Sequence, residues 1–147
     1  MKTIHGKTGF TLVEALVASV ILIISLGGML SLFFYCFSLN ERSREYTMAI
    51  AEAQNQLEEL RAARALNGGT FNFNLSLLSG TGVIYVDDSN PELIRIKLVV
   101  SWQSNRYARN IGEDQNLNGI LDAGEDLNHN SELDSPIMFT TFLARRY

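Results

Sequence analysis

From Ala15 to Asn40 the chain carries no charged residue, and the run from Phe10 to Leu39 is apolar apart from Glu14 and a few small polar side chains. A helix needs roughly 20 such residues to cross a bilayer, so this run is long enough. After Asn40-Glu41-Arg42 the pattern changes. Tyr46, Ala49, Ile50, Ala53, Leu57 and Leu60 recur at three- and four-residue steps, with Arg42, Glu45, Glu52, Glu58, Glu59 and Arg61 mostly off that stripe. No proline interrupts Phe10 to Arg64. The two halves therefore read as one helix of about 55 residues, roughly 80 Å long at 1.5 Å per residue. Gly27-Gly28 is either a weak point for local melting, at up to about 1 kcal/mol per glycine, or a site of close helix packing. Asn67-Gly68-Gly69 offers residues that accept a left-handed cap and is expected to end the helix.

From Thr70 the period becomes two. Phe71, Phe73, Leu75 and Leu77 alternate with Asn72, Asn74, Ser76 and Leu78, which predicts a strand with one buried face. Val83 to Val86 is a short second strand, and Asp87-Asp88-Ser89-Asn90-Pro91 is a turn by composition. Leu93 to Trp102 has the clearest pattern, with Ile94, Ile96, Leu98, Val100 and Trp102 on one side and Arg95, Lys97 and Ser101 on the other. Ile137 to Leu143 supplies a last strand to pair with it. The expected fold is α+β: a long N-terminal helix, membrane-spanning in its first half, packed on a small antiparallel sheet with an insertion between the last strands. Phe71, Phe73 and Trp102 read as core. The chain divides into a leader (1–9), a membrane half-helix (10–39), an amphipathic half-helix (40–66) and a small β domain (67–147) that contains an acidic loop (112–134).

Composition narrows the function. Of 147 residues, those beyond one span suffice for a single small domain, too small for a large enzyme core. Net charge is −4, and removal of the leader takes Lys2 and Lys7 away, leaving −6. Seven carboxylates lie between Glu113 and Asp134, with no Lys or Arg from Ile111 through Leu143. No basic run suggests nucleic-acid binding. The single cysteine, Cys36, lies in the apolar run and behaves as a small hydrophobe. No nucleophile and base stand out as an enzyme site.

Lys7-Thr8-Gly9-Phe10-Thr11-Leu12-Val13-Glu14 resembles the leader junction of type IV prepilins and pseudopilins. An ordinary secretory signal has an apolar core of about 7 to 15 residues followed by its cleavage site, whereas here the run is longer and the junction precedes it. The resemblance implies cleavage after Gly9 by a membrane prepilin peptidase and methylation of the new amino terminus on Phe10. It also implies that Glu14 pairs with the amino terminus of a neighbouring subunit. Such a pair neutralises two charges that are each costly in a dry bundle. Lys2 and Lys7 place the leader in the cytoplasm, so the chain is expected to be single-pass in the inner membrane with a periplasmic domain, before it joins a pilus or pseudopilus that can reach the cell surface. The C-terminal disulfide loop common in major pilins is absent, which argues for a minor pilin of the PilV type or a minor I-type pseudopilin of type II secretion.

The acidic loop carries the second resemblance. Asp114, Asn116, Asn118, Gly119, Ile120, Asp122 and Glu125 stand at positions 1, 3, 5, 6, 7, 9 and 12 of a loop similar to the calcium loops of EF-hands, dockerins and thrombospondin type 3 repeats. Ca²⁺ takes six to eight oxygens, the glycine permits the sharp turn, and position 7 contributes only its carbonyl. Ile120 or Leu121 is expected to hold the loop to the body. The pattern repeats after 12 residues in Asp126, Asn128, Asn130, Ser131, Glu132, Leu133 and Asp134, but Ser131 replaces the glycine and Ile137 stands at the twelfth position. One Ca²⁺ is expected in the first loop, with a possible second in the other. Transition metals suit the segment poorly, because His129 is the only histidine after the leader. The expected function is structural, a calcium-stabilised minor subunit of a type IV pilus, with the type II secretion pseudopilin as its near alternative. A membrane-anchored, calcium-dependent binding module is an alternative of another class.

Overall fold

The computed structural model describes residues 9–63, 67–106 and 108–144. Its elements are α1 (Leu12–Ala62), β1 (Gly69–Asn74), β2 (Gly80–Asp87), β3 (Leu93–Gln103), β4 (Asn110–Ile111) and β5 (Ile137–Ala144). All strand pairs are antiparallel. The expected α+β arrangement is present, a long N-terminal helix and a small antiparallel sheet. The chain forms two compact units, Met1–Glu41 and Arg42–Tyr147. Of the leader, only Gly9 lies among the described residues.

In the first unit α1 runs through Gly27-Gly28 without a break, and its large apolar side chains from Phe10 to Leu39 face outward. Hydroxyls that are costly in lipid are satisfied within the helix: Ser19, Ser25 and Ser31 donate to the carbonyls of Leu16, Ile21 and Gly27. The segment is long and apolar enough to cross a membrane.

In the second unit Ala49, Ala53 and Leu57 of α1 pack with Ile84, Val86, Ile94, Ile96, Leu98, Val100, Trp102 and Ile137 of the sheet. Alanines on the docking face let the helix backbone approach closely. Tyr46 meets Trp102 edge to face, with ring centroids 5.1 Å apart. The stripe differs from expectation at three positions. Ile50 is 36% exposed, whereas Glu45 and Glu52 are buried. Their carboxylates accept backbone N–H groups that the sheet leaves unpaired. Glu52 Oε2 accepts from Ser76 N at 2.8 Å and Oε1 from Leu77 N, while Glu45 Oε1 accepts from Asn105 N at 3.1 Å and from Ser104 Oγ at 3.2 Å.

Strand β2 pairs with one edge of β3, while β5 and β4 share the other: β5 along Leu93 to Val100, β4 at Trp102 and Gln103. The chain between β4 and β5 thus leaves and rejoins the same edge. Strand β1 stops at Asn74, because Leu75 N bonds Gly80 O and Gln103 N bonds Ser79 O around a tight turn. The predicted alternation fails there. Leu78 rather than Leu77 is buried, and Phe71, expected in the core, is 46% exposed. The helix ends at Ala62, so Gly69 opens β1 instead of capping α1, and Arg64 lies outside the described residues.

Glu52→Ala should destabilise the domain by about 1–3 kcal/mol, the cost of orphaning partly buried amides, whereas Ile50→Ser should shift stability by no more than about 0.5 kcal/mol. Chemical denaturation of the full chain in detergent checks both, and the reverse order would refute this docking face.

Candidate functional site

At the start of α1, Thr11 is the N-cap. Its carbonyl accepts the first helical bond from Ala15 N, and its Oγ1 accepts from Glu14 N at 3.3 Å. Glu14 reaches back, and its Oε2 accepts from Thr11 N at 3.0 Å and Thr11 Oγ1 at 2.9 Å. This is a capping box, formed by a threonine and the glutamate three residues on. Gly9 and Phe10 precede the helix, and Phe10 is exposed.

The acidic segment lies across the sheet face opposite α1. Beneath it Val83, Val99, Thr81 and Ser101 are buried. Thr81 Oγ1 donates to Leu117 O, Leu133 N donates to Tyr85 Oη at 2.8 Å, and Ser135 Oγ donates to Val100 O. Leu133, 1% exposed, holds the segment down; of the two residues expected to do so, Ile120 is 58% exposed and Leu121 is half-buried. The reason is register: Leu133 belongs to the stretch bonded to Tyr85, whereas Ile120 follows the positive-φ turn at Gly119.

The first loop brings Asp114, Asn116, Asn118, Asp122 and Glu125 together. Asp114 is fully buried; its two oxygens accept from Asn118 N at 3.2 Å and Gly119 N at 2.8 Å. Asn116 and Asn118 donate their amides to Asp122 Oδ2 at 2.7 and 2.9 Å. Glu125 accepts from Gln115 N at 2.7 Å and Asp122 N at 3.0 Å. The second loop repeats this geometry. Asp126 accepts from Asn130 N and Ser131 N, and Asn128 and Asn130 donate to Asp134 Oδ2. The backbone repeats too: Leu117 and Gly119 have φ of 57° and 74°, and His129 and Ser131 have 60° and 62°. A Cβ at Gly119 would lie 2.8 Å from Asn72 atoms, so glycine is required there, whereas exposed Ser131 has room for its side chain.

Glu113 is the residue that sequence reasoning missed. Its Oε2 accepts from Asp134 N at 2.9 Å, as Glu125 Oε2 does from Asp122 N. Glu113 thus fills for the second loop the bonding role that Ile137 cannot, and each loop is closed by the glutamate that precedes the other. The signal was legible: Glu113 and Glu125 are themselves 12 residues apart. The loops differ in their counter-charge. Lys97 Nζ, from β3, lies 2.7 Å from Glu132 and 2.9 Å from Asp134. Burial disfavours its charge, but bonds to Asp134 and Glu132 outweigh this and raise its pKa above the usual lysine value. Asp134 is shifted the other way: the Lys97 hydrogen bond, against desolvation and aided by Asn128 and Asn130, holds it below the usual carboxylate range. Among the described residues no ion pair reaches Asp114, Asp122 or Glu125.

The first loop's donors are all hard oxygens, which suits Ca²⁺ chemically. Its side chains are drawn onto one another, and among the described residues no three Asp, Glu, His or Cys side chains converge as a metal-binding group.

Residues 4–30 match the family model of the prokaryotic N-terminal methylation motif. The match supports a type IV prepilin-like protein, and the motif implies processing by prepilin peptidase and assembly with other pilins. No curated protein and no solved structure matches the chain.

Lys97 contributes stability that is complete below the ordinary lysine pKa and lost as pH rises through its raised folded value. For Asp134 the contribution is complete above the ordinary carboxylate pKa and lost as pH falls through its depressed one. Lys97→Met should therefore cost about 1–2 kcal/mol near neutrality, with the difference from the parent shrinking below about pH 4 and above about pH 10.4. Urea titrations across pH measure this, and a pH-independent difference would contradict the ion-pair origin.

Proposed function

We propose that this chain is a minor structural subunit of a type IV pilus, cut after Gly9, methylated on Phe10 and assembled through α1. The observation that carries the reading is the methylation motif over residues 4–30, which runs into the outward-facing apolar part of α1. Glu14 fits the assembly role because its carboxylate stands at the first turn, where an incoming ammonium of a neighbouring Phe10 can replace Thr11 Oγ1 as partner. The lone Cys36 supports a minor rather than a major subunit. A minor pseudopilin of type II secretion would use the same leader and the same helix.

Mass spectrometry of the mature protein should find N-methylated Phe10 at its amino terminus, and an intact Met1 would sink the reading. Glu14→Ala should be processed normally yet enter filaments at least about tenfold less, the equivalent of about 1.4 kcal/mol. Normal incorporation, read by immunoblot of sheared filaments, would remove Glu14 from assembly.

The same proposal gives the first acidic loop one Ca²⁺, held by Asp114, Asn116, Asn118, the carbonyl of Ile120, Asp122 and Glu125. Support comes from Asp114, a buried carboxylate with no cationic partner among the described residues, since burial of unpaired charge is costly. The ion would relieve repulsion in a segment that has no Lys or Arg of its own. In the second loop, with Asp126, Asn128, Asn130, Glu132 and Asp134, Lys97 already supplies a positive charge, so a second ion is not required. Calorimetric titration should find one site with a dissociation constant on the order of 10⁻⁴ to 10⁻³ M, and chelation should lower the melting temperature. If Asp114→Ala and Glu125→Ala leave both quantities unchanged, the loop is not a calcium site.

A further inference from the structure

Two strands of the Arg42–Tyr147 unit border the sheet, and neither the methylation motif nor the acidic loop accounts for their open sides. Among the described residues β1 pairs only with β2 and β5 only with β3. Exposed edges commonly carry a lysine, a proline or a bulge that keeps other chains off. These carry none. Gly69–Asn74 and Ile137–Ala144 hold no charged residue and no proline, and their registers run without interruption.

The phase of the ladders tells which main-chain groups are open. In an antiparallel pair, directly opposed residues exchange both bonds at every second position. Leu75 N bonds Gly80 O at 3.0 Å, so Phe71 and Phe73 bond β2, and the N–H and C=O groups of Thr70, Asn72 and Asn74 turn to the free edge. Gln103 N bonds Ser79 O at 2.8 Å, which assigns the odd-numbered residues of β3 to β2 and the even-numbered ones to β5. On β5 this leaves Met138, Thr140 and Phe142 turned outward. Among the described residues no loop backbone bonds to these six positions.

We propose that the β1 edge of one copy of this chain joins the β5 edge of a second copy, so that one antiparallel sheet runs through both. The inference rests on the reading of the chain as a membrane-anchored subunit that assembles. Strand direction fits first: β1 runs parallel to β3 and β5 antiparallel to it, so two copies that face the same way bring β1 and β5 together antiparallel. Register fits next. A single register pairs all six residues of β1 and keeps both α1 segments on one side of the sheet. It sets Thr70 opposite Phe142, Asn72 opposite Thr140 and Asn74 opposite Met138, the outward-turned residues of both edges, and each pair closes two main-chain bonds. On the α1 side it sets Phe73 opposite Phe139 and places Phe71, 46% exposed, diagonally between Phe139 and Leu143. No like charges meet. Four strands per copy separate neighbouring α1 segments by about 19 Å, more than the diameter of a helix, about 10–12 Å. A two-fold pairing of β5 with β5 would instead point the Arg42 ends of the two α1 segments in opposite directions. Copies anchored by the same end in one membrane enter from the same side.

The test uses the full mature chain with Cys36 replaced by alanine, in lipid vesicles at several copies each, one population carrying N72C and the other T140C under different tags. Within one copy these positions lie three strand spacings apart, about 14 Å, too far for a disulfide. Mild oxidation should join the two populations at least about tenfold more than S89C with T140C, positions that the register keeps apart. Thr70→Pro, which removes an unpaired edge N–H, should lower the N72C–T140C yield at least about fivefold while the domain melts as the parent does. Met138→Lys, a charged guard on the opposing edge, should act likewise and serves if the proline variant fails to fold. Preferential joining of T140C to itself would overturn the proposal in favour of a two-fold β5 contact. An inserted chain whose N72C–T140C yield does not exceed that of the Ser89 control would overturn the edge contact alone. A chain that fails to enter vesicles would overturn the membrane anchor and the contact together.

Discussion

The burial of β3 on both faces is the constraint on which the domain depends. A strand with one solvated face needs only a single cover, but Ile94, Ile96, Leu98, Val100 and Trp102 are buried on one side, and Val99 and Ser101 on the other. The first face is closed by α1. The second falls to an irregular, acidic, asparagine-rich segment with little apolar surface to offer. It contributes one fully buried leucine, Leu133, and otherwise holds the sheet through polar bonds to Thr81, Tyr85, Lys97 and Val100. A segment that covers a sheet in this way must be internally rigid, because a loose one would lose the contacts to chain entropy.

Rigidity comes from carboxylates used as acceptors of backbone amides. Asp114 and Asp126 each gather two successive N–H groups, while Glu125 and Glu113 close the loops reciprocally. Glu45 and Glu52 serve the same purpose on the opposite face, where α1 meets turns that no strand can pair. Charge-assisted bonds of this kind contribute roughly twice as much as neutral ones. The chemistry has a consequence for charge: a segment organised by carboxylates gathers acidic groups close together, and among the described residues Lys97 is the basic side chain that forms ion pairs with it.

What the sequence revealed follows from which interactions are periodic. The β3 pattern was legible because one face alternates strictly, and its pairing with Ile137 to Leu143 follows from antiparallel register. Glu45 and Glu52 were not, since a glutamate on a helix defaults to the polar face. Their seven-residue separation, which puts them on the docking stripe with Ala49 and Ala53, was the available signal. The 12-residue repeat was legible from aspartates and asparagines, yet its closing residue was sought along the second loop and not ahead of the first. Strand β1 was overextended because the apolar spacing continued after the chain had turned, and only the bonds around Gly80 reveal where it ends. Of the two candidates for holding the loop, Ile120 is exposed and Leu121 half-buried for a related reason: hydrophobicity marks a candidate for burial, but a turn decides its direction.

Glu14 shows how one residue can satisfy two environments in succession. In the described chain it completes a capping box with Thr11, an arrangement worth about 0.5–2 kcal/mol. That energy suffices to order the first turn but not to compensate a bare carboxylate drawn into hydrocarbon, which costs about 2.5–3.5 kcal/mol at depth. In the assembly proposed above, a neighbouring amino terminus offers a full charge where Thr11 offers only dipoles. The bond to Thr11 Oγ1 is then the one to yield, and the bond from Thr11 N can persist through the second lone pair. The cap therefore holds the carboxylate at the helix end and gives up only its weaker, hydroxyl bond to the stronger partner, and the geometry that starts the helix also positions the group that would join it to another.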